Sequence, residues 1–339
     1  MLILSNCLTE AADEGCLKVA NSLVKRMKAA APDVTVISYE RRSSLTERYL
    51  ELNKFLLNKQ LFRLLRERKE PVLYIPFPAK PFSTAVRVFV LSLACRRGLR
   101  VLTAMNVPMG WPARVLHRLS GADYVVLSDD AASLYREVVG NKRVLRIKTG
   151  VDTKKFCPVL PERGRELKMQ YGFAPERPVV LHVGHLNQGR NVQQLMKIST
   201  DCQIVLVTST LTKNEQDPLL RTQLLETGNI RILDDYIPRI EEIYQLADVY
   251  FFPVEEMGRC IDVPLSCLEA AACNKPVVTT AYGEMRTFIG KSGFFHMKDM
   301  EAESINRLIA QALNCGDPDT RSAVLEYDWS NAVDALLQQ

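Results

Sequence analysis

The sequence predicts an α/β protein made of two halves, each a parallel sheet covered by helices. Three observations predict it. Short apolar runs of strand length alternate with segments of helical spacing, the pattern of βαβ units. With 339 residues, 47% of them hydrophobic, the chain can fill two cores of ordinary size. A polar stretch over residues 149–177 separates the two series of strands.

The elements follow in chain order. Residues 2–5 (LILS) form a strand, and residues 6–15 a loop. A helix then carries Leu17, Ala20, Leu23, Val24 and Met27 on one face. Residues 34–37 are a second strand. Residues 45–68, rich in Leu, Phe, Arg and Lys, read as one long amphipathic helix. A strand at 72–75 ends in the proline-rich loop 76–81, and a helix covers 83–95. Strands at 101–103 and 124–127 complete the first half. In the second half, strands are expected at 179–184, 203–207, 230–233 and 249–252.

Residues 251–283, FFPVEEMGRCIDVPLSCLEAAACNKPVVTTAYG, read as strand, loop, helix, strand. Glu269 is a single carboxylate that starts a small-residue helix just past a strand end. Open parallel sheets bind ligands at the carboxyl ends of their strands. A carboxylate there is placed to hold sugar or ribose hydroxyls. The competing reading is a solvated surface glutamate.

Composition excludes several classes. No uninterrupted apolar run of about eighteen residues is present, so no spanning helix is expected. The start, MLILSNCLTE, lacks a basic n-region and reads as a strand, not a signal peptide. Nine cysteines are scattered without a CxxC pair or a His/Cys cluster. No disulfide framework, zinc site or other metal site is expected, and a reducing cytoplasm is the default. The net charge of +5 hides an asymmetry. Residues 1–150 hold 25 Lys+Arg against 13 Asp+Glu, and residues 151–339 hold 19 against 26. The basic half suggests an anionic membrane, a phosphate-linked acceptor or nucleic acid. No stacking-aromatic motif or RNA-binding signature accompanies the charge, so nucleic acid is not expected.

Several motifs in the second half resemble the retaining GT-B glycosyltransferases of family 4. These are LEAAA at 268–272, NKPVVT at 274–279, Gly283, and TGVDTKKFCP at 149–158, which is similar to the family's interdomain signature. YDWS at 327–330 resembles the family's closing segment, which begins the last helix. The resemblance is strong over residues 145–339 and mostly organisational before that. It implies two Rossmann-like domains facing across a cleft. The first is an acceptor-binding domain over 1–155, the second a nucleotide-sugar-binding domain over 156–327, with a C-terminal helix at 328–339.

The resemblance also implies roles. The run GHLNQGR at 184–190, which follows a strand and precedes a helix containing Leu195 and Ile198, is similar to the family's Gly-Arg-Leu-x-x-x-Lys, whose two cations bind the donor diphosphate. Arg190 stands at the Lys position and His185 at the Arg position, beside Gly184. A sugar–phosphate bond breaks with charge developing on the diphosphate, so fixed positive charge lowers the barrier. Arg190 can also bind phosphate oxygens bidentately, whereas charge at His185 depends on pH. Glu269 matches the family's second acid. The first acid would stand eight positions earlier, where this chain has Ile261, so Asp262 is the candidate substitute. Gly15 and Gly283 correspond to glycines that approach the donor, and Ile237 lies where backbone groups hold the nucleobase. Where the family has a histidine near the reacting sugar, this chain has Met105 and Asn106, of which only Asn106 can hydrogen-bond a hydroxyl.

The expectation is a hexosyltransferase that moves a sugar from a nucleotide diphosphate sugar to an acceptor with retention. No resident cofactor is expected. The acceptor is expected to be lipid-linked or otherwise anionic. The protein is then cytoplasmic, or peripheral on the inner face of the membrane through residues 45–68 and the 76–82 loop. The alternative is a non-catalytic nucleotide-sugar-binding homologue, motivated by Ile261 and Met105.

Overall fold

The computed structural model of this chain describes residues 1–10, 14–67, 70–77, 80–209 and 216–338. The first 149 residues run β1 (Leu2–Ser5), α1 (Gly15–Ala30), β2 (Thr35–Ser38), β3 (Arg48–Tyr49), α2 (Lys59–Glu67), β4 (Val72–Ile75), α3 (Pro81–Ser92), β5 (Leu99–Thr103), α4 (Trp111–Ser120), β6 (Asp123–Val126), α5 (Asp129–Val139) and β7 (Val144–Arg146). Then come α6 (Pro161–Gln170), β8 (Val179–Val183), β9 (Gln203–Val207), α7 (Pro218–Glu226), β10 (Ile230–Leu233), α8 (Ile240–Leu246), β11 (Val249–Phe252), α9 (Leu265–Ala272), β12 (Val277–Thr279), β13 (Phe294–His296), α10 (Ala302–Leu313), α11 (Thr320–Val324) and α12 (Trp329–Leu337).

These elements form two compact units. Unit 1 holds Met1–Thr149, Ile261–Val263 and Trp329–Gln339, of which Gln339 is outside the described residues. Unit 2 holds Gly150–Cys260 and Pro264–Asp328. Each is a wholly parallel sheet, with strand order β3-β2-β1-β4-β5-β6-β7 in unit 1 and β10-β9-β8-β11-β12-β13 in unit 2. Both are Rossmann-like α/β layers, as the alternation of periods predicts. Strands buried on both faces read as continuous apolar runs, and β1, β4 and β11 are buried at every position. The unit 1 core joins Leu2, Leu4, Tyr74, Val101 and Tyr124. That of unit 2 joins Val180, Ile204, Phe251, Val278 and Ile309.

Local chemistry sets the helix ends. Pro occupies the first turn of α3, α4, α6 and α7, where its missing N–H costs nothing. The Ser128 hydroxyl caps α5 by accepting from the Ala131 N–H, and Asp129 and Asp130 follow in its first turn. Gly121 ends α4 at φ 66°, a conformation that costs a side-chain-bearing residue strain.

Four expectations change. Residues 45–68 are not one helix, because two asparagines divert the backbone. The Asn53 carboxamide accepts from the N–H groups of Phe55 and Leu57, and Leu56 sits at φ 60°. Asn58 then accepts from Gln60 and Leu61 and starts α2 afresh. Arg68 and Lys69 of that stretch, and Pro78 and Ala79 of the proline-rich loop, lie outside the described residues. After Gly184 the chain forms 3₁₀ turns at Gln188–Arg190 and Val192–Lys197 instead of an α-helix, since Asn191 between them is left-handed at φ 54°. Within the polar stretch, Pro161–Gln170 is the helix α6, anchored by the Lys168–Asp248 ion pair at 2.7 Å. Finally, Glu269 is the fifth residue of α9, in its second turn, not at its start.

Candidate functional site

In an open parallel sheet the ligand crevice lies where the strand order reverses. In unit 2 that point falls between β8 and β11, which pair directly. The loop after β8 carries Gly184, His185 and Arg190. The loop and helix after β11 carry Glu269. The two segments predicted from sequence to hold the diphosphate and the sugar therefore leave the two strands that flank the reversal.

The β8 loop is tightly held. Asn187 caps the turn, its side chain accepting from the Arg190 N–H at 3.1 Å. Asn191 donates to Pro253 O at 3.0 Å and reaches the Glu255 carboxylate, so this loop is tied to the one after β11. Arg190 is half-buried, and among the described residues its guanidinium pairs with no carboxylate. Its charge is felt by His182, a fully buried ring on β8. His182 donates from Nδ1 to Phe251 O at 2.8 Å, which leaves Nε2 as a lone-pair atom with no partner. Burial, against the help of that hydrogen bond, pushes its pKa down to about 4. A Cβ on Gly184 would lie 2.9 Å from that Nε2, which accounts for glycine at this position. The His185 side chain is half-buried beside it.

Glu269 is 4% exposed on α9, a helix in which Leu265, Cys267, Leu268 and the alanines at 270–272 are buried too. The Tyr244 phenol on α8 faces it. Burial first, and the Glu269 carboxylate second, raise that phenol well above its ordinary range. The loop ahead of α9 is clamped twice from the segment after β12. Thr280 donates its hydroxyl to Val254 O. Tyr282 donates to Cys260 O at 2.6 Å and accepts from the Cys260 N–H. Gly283 follows at φ 49°. Its neighbour Glu284 is buried and accepts the Tyr327 hydroxyl. Ile237 is half-buried between β10 and α8, beside an exposed Tyr236.

Arg259 was not singled out by sequence reasoning. A Cβ on Gly189 would meet its side chain at 2.9 Å, so Arg259 lies over the turn that ends in Arg190. An exposed bidentate bond to Glu256 holds it. An arginine beyond the motif's span leaves no spacing signal.

Gly15, Asn106 and Asp262 belong to unit 1. The space over Gly15 is filled by Ile261, whose side-chain carbons lie 3.1–3.3 Å from where a Cβ would stand. Asp262 is 4% exposed, with both carboxylate oxygens engaged. Oδ1 accepts the Asn106 N–H at 2.5 Å, and Oδ2 accepts the Ser128 hydroxyl at 3.1 Å. Its own N–H donates to Ala104 O. Asp262 thus braces the segment after β5 against the cap of α5. The Asn106 side-chain oxygen is buried and has no partner. Of the nine residues predicted for the site, the other six lie in unit 2. Among the described residues, no His, Cys, Asp or Glu cluster has metal-holding geometry.

Residues 177–314 match the family model described as glycosyl transferases group 1. An alpha-maltose-1-phosphate synthase of Mycobacterium tuberculosis is 25% identical over 217 residues, 56% of this chain and 54% of that protein. A GDP-mannose-dependent monoacylated alpha-(1-6)-phosphatidylinositol monomannoside mannosyltransferase of Corynebacterium glutamicum is 25% identical over 202 residues, 54% of this chain and 51% of that protein. The chain spans about half the length of these curated relatives. In fold it is similar to HepE of Anabaena, solved in complex with UDP, with a TM-score of 0.75 and 14% identity over 99% of this chain and 98% of that one. It is also similar to WaaG, a glycosyltransferase involved in lipopolysaccharide biosynthesis, with a TM-score of 0.70 and 13% identity over the whole of both chains. The fold is thus of the GT-B class. The resemblance to glycosyl transferases group 1 read from the motifs holds over residues 177–314.

Proposed function

We propose, starting from the glycosyl transferases group 1 segment at residues 177–314, that this chain transfers a sugar from a nucleotide diphosphate donor to an acceptor with retention at the anomeric carbon. The observation that carries the proposal is the placement of Arg190 and Glu269 on the segments that leave β8 and β11, the strands flanking the reversal in unit 2.

The chemistry follows from those groups. Glu269 accepts hydrogen bonds from donor hydroxyls and fixes the sugar. Arg190, joined by Arg259 over the same turn, holds the diphosphate and stabilises the charge that grows as the anomeric C–O bond breaks. The acceptor oxygen bonds to the anomeric carbon from the side the phosphate leaves. The departing phosphate oxygen takes the acceptor's proton, so no side chain serves as general base. With the charge supplied by side chains, the reaction calls on no resident cofactor. The names of the relatives and the UDP complex of the structural neighbour support a nucleotide-linked donor. The basic first half supports an anionic acceptor, lipid-linked at the inner face of a membrane. No described helix is long and apolar enough to cross a membrane.

A second reading, a nucleotide-sugar binder without transfer, has its own observation. The first acid of the family motif is Ile261 here, and the Asp262 carboxylate is occupied by Asn106 and Ser128. One experiment separates them. Thermal melting against a panel of UDP- and GDP-sugars finds the donor, since a ligand that binds only the folded state raises the melting temperature with concentration. Release of the nucleotide diphosphate from that donor then reports chemistry. Stabilisation without release supports the binder, and no stabilisation by any donor overturns both.

A further inference from the structure

The helix α4 has two faces. Ala113, His117 and Ser120 point into unit 1 and are buried. Trp111, Val115 and Leu119, spaced at four residues along the opposite face, are 77%, 46% and 65% exposed. Its packing neighbour α3 exposes Phe82 at one end, and Leu93 follows at the other. A row of large apolar side chains in water costs stability without a partner. Cations border it. Lys80 precedes α3, Arg96 and Arg97 follow it, and Arg118 lies on α4 itself, all exposed. Among the described residues, Arg96 and Arg97 make no ion pair.

We infer that the α4 face of unit 1, with the flanking end of α3, docks on an anionic lipid surface. An apolar row with a tryptophan, rimmed by lysine and arginine, is the composition of an interfacial helix. Trp111 at the first turn enters the headgroup boundary, and Val115 and Leu119 enter the acyl edge. Arg96, Arg97 and Arg118 meet the lipid phosphates. A second copy of this chain is the poorer occupant, because a two-fold contact would set these arginines against their own counterparts. The α2 helix, which sequence favoured for this role, lacks the apolar part. Its Leu61 and Leu65 are buried, and Phe62 and Leu64 pack on the core. The inference deepens the membrane side of the proposed function and rests on it.

The two tryptophans make the test. Trp329 is 4% exposed and serves as the fixed reference, whereas Trp111 is open. Vesicles of phosphatidylcholine alone are compared with vesicles containing phosphatidylglycerol, at low and high salt. The full chain is expected to sediment with the anionic vesicles only, to shift its emission to the blue, and to be released by salt. Trp111→Phe is expected to lose the shift and keep the binding. Trp111→Ser/Val115→Ser/Leu119→Ser is expected to lose the binding with an unchanged melting temperature. Arg96→Glu/Arg97→Glu is expected to weaken it by more than about 30-fold, since each cation contributes about fivefold. Undiminished binding by the triple variant overturns the inference, as does an unshifted Trp111 or wild-type indifference to anionic lipid. A concentration-dependent dimer that shifts Trp111 without lipid overturns it in favour of self-association. Donor-induced stabilisation, measured without vesicles, tells this failure from failure of the enzymatic reading.

Discussion

In unit 1 the sheet reverses between β1 and β4, and in unit 2 between β8 and β11. The loops at these equivalent places differ. In unit 1 they are stitched to each other: the Phe77 N–H donates to the Asn6 side chain at 2.9 Å, and Ser5 donates to Ile75 O. In unit 2 they are tied as well, through Asn191 to Pro253 O, but they present Arg190, which among the described residues has no carboxylate partner, and a turn roofed by Arg259. The surfaces differ in charge as well, with 25 Lys+Arg against 13 Asp+Glu in residues 1–150 and 19 against 26 beyond. Under the proposed function, one fold carries two jobs, anion chemistry at a strand edge in one copy and surface attraction in the other. The shared topology supplies the place, and the loop residues decide its use.

Four measurements break or sharpen that contrast. The largest effect is expected at Glu269. Because it is buried near Tyr244, alanine would open a hole, and Glu269→Gln is the cleaner change. Transfer should fall by about a thousandfold with the donor still stabilising the fold. Normal turnover would move the sugar site away from α9. Next, Arg190→Ala should cost about 3 kcal/mol of transition-state stabilisation, or about a hundredfold in rate. Lysine should restore part of it, having the charge without the fork. Unchanged kinetics would leave unit 2 no more anion-specialised than unit 1.

The third concerns the buried histidine that each unit holds. Burial pushes His117 and His182 from 6.5 down to about 4. Above pH 6.5 both states are neutral and the stability is fully present. As pH falls from 6.5 toward 4, the unfolded imidazole takes a proton that the folded one refuses. Each unit then loses up to about 3 kcal/mol. Trp329, in unit 1, reports that unit's unfolding. His117→Gln should flatten its slope in this window and leave unit 2 unchanged. An equal slope in the variant would show that the group is not the sensor.

Asp262→Asn is expected to be smallest. Asparagine has only one acceptor oxygen for Asn106 and Ser128, so unit 1 should lose about 1–2 kcal/mol. Nucleotide affinity should stay the same. A loss of nucleotide affinity would show that Asp262 serves the donor and is more than a brace.

Much of the fold was legible. The strands at 2–5, 72–75, 203–207 and 249–252 coincide with β1, β4, β9 and β11, because a strand buried on both faces is an apolar run, and 230–233 coincides with the edge strand β10. Residues 45–68 were not legible, since the turns there are set by the Asn53 and Asn58 side chains against a background of helical spacing. The two-residue β3 and three-residue β7 and β13 are too short to carry a period. At the site, the spacing of Arg190 and Glu269 from their strands was readable. The engagement of Asp262 was not, because its partners lie more than a hundred residues away in sequence.

The last helix gives this architecture a timing. α12 packs on α1, and unit 1 includes both. On the ribosome, residues 1–149 emerge first but stay without that partner while all of unit 2 is made. At about 5–20 residues per second this lasts on the order of ten seconds or more. Gly150–Cys260 and Pro264–Asp328 are complete by then, so the half synthesised second is able to close first. Unit 1 spends the interval with the α12-contacting side of α1 exposed.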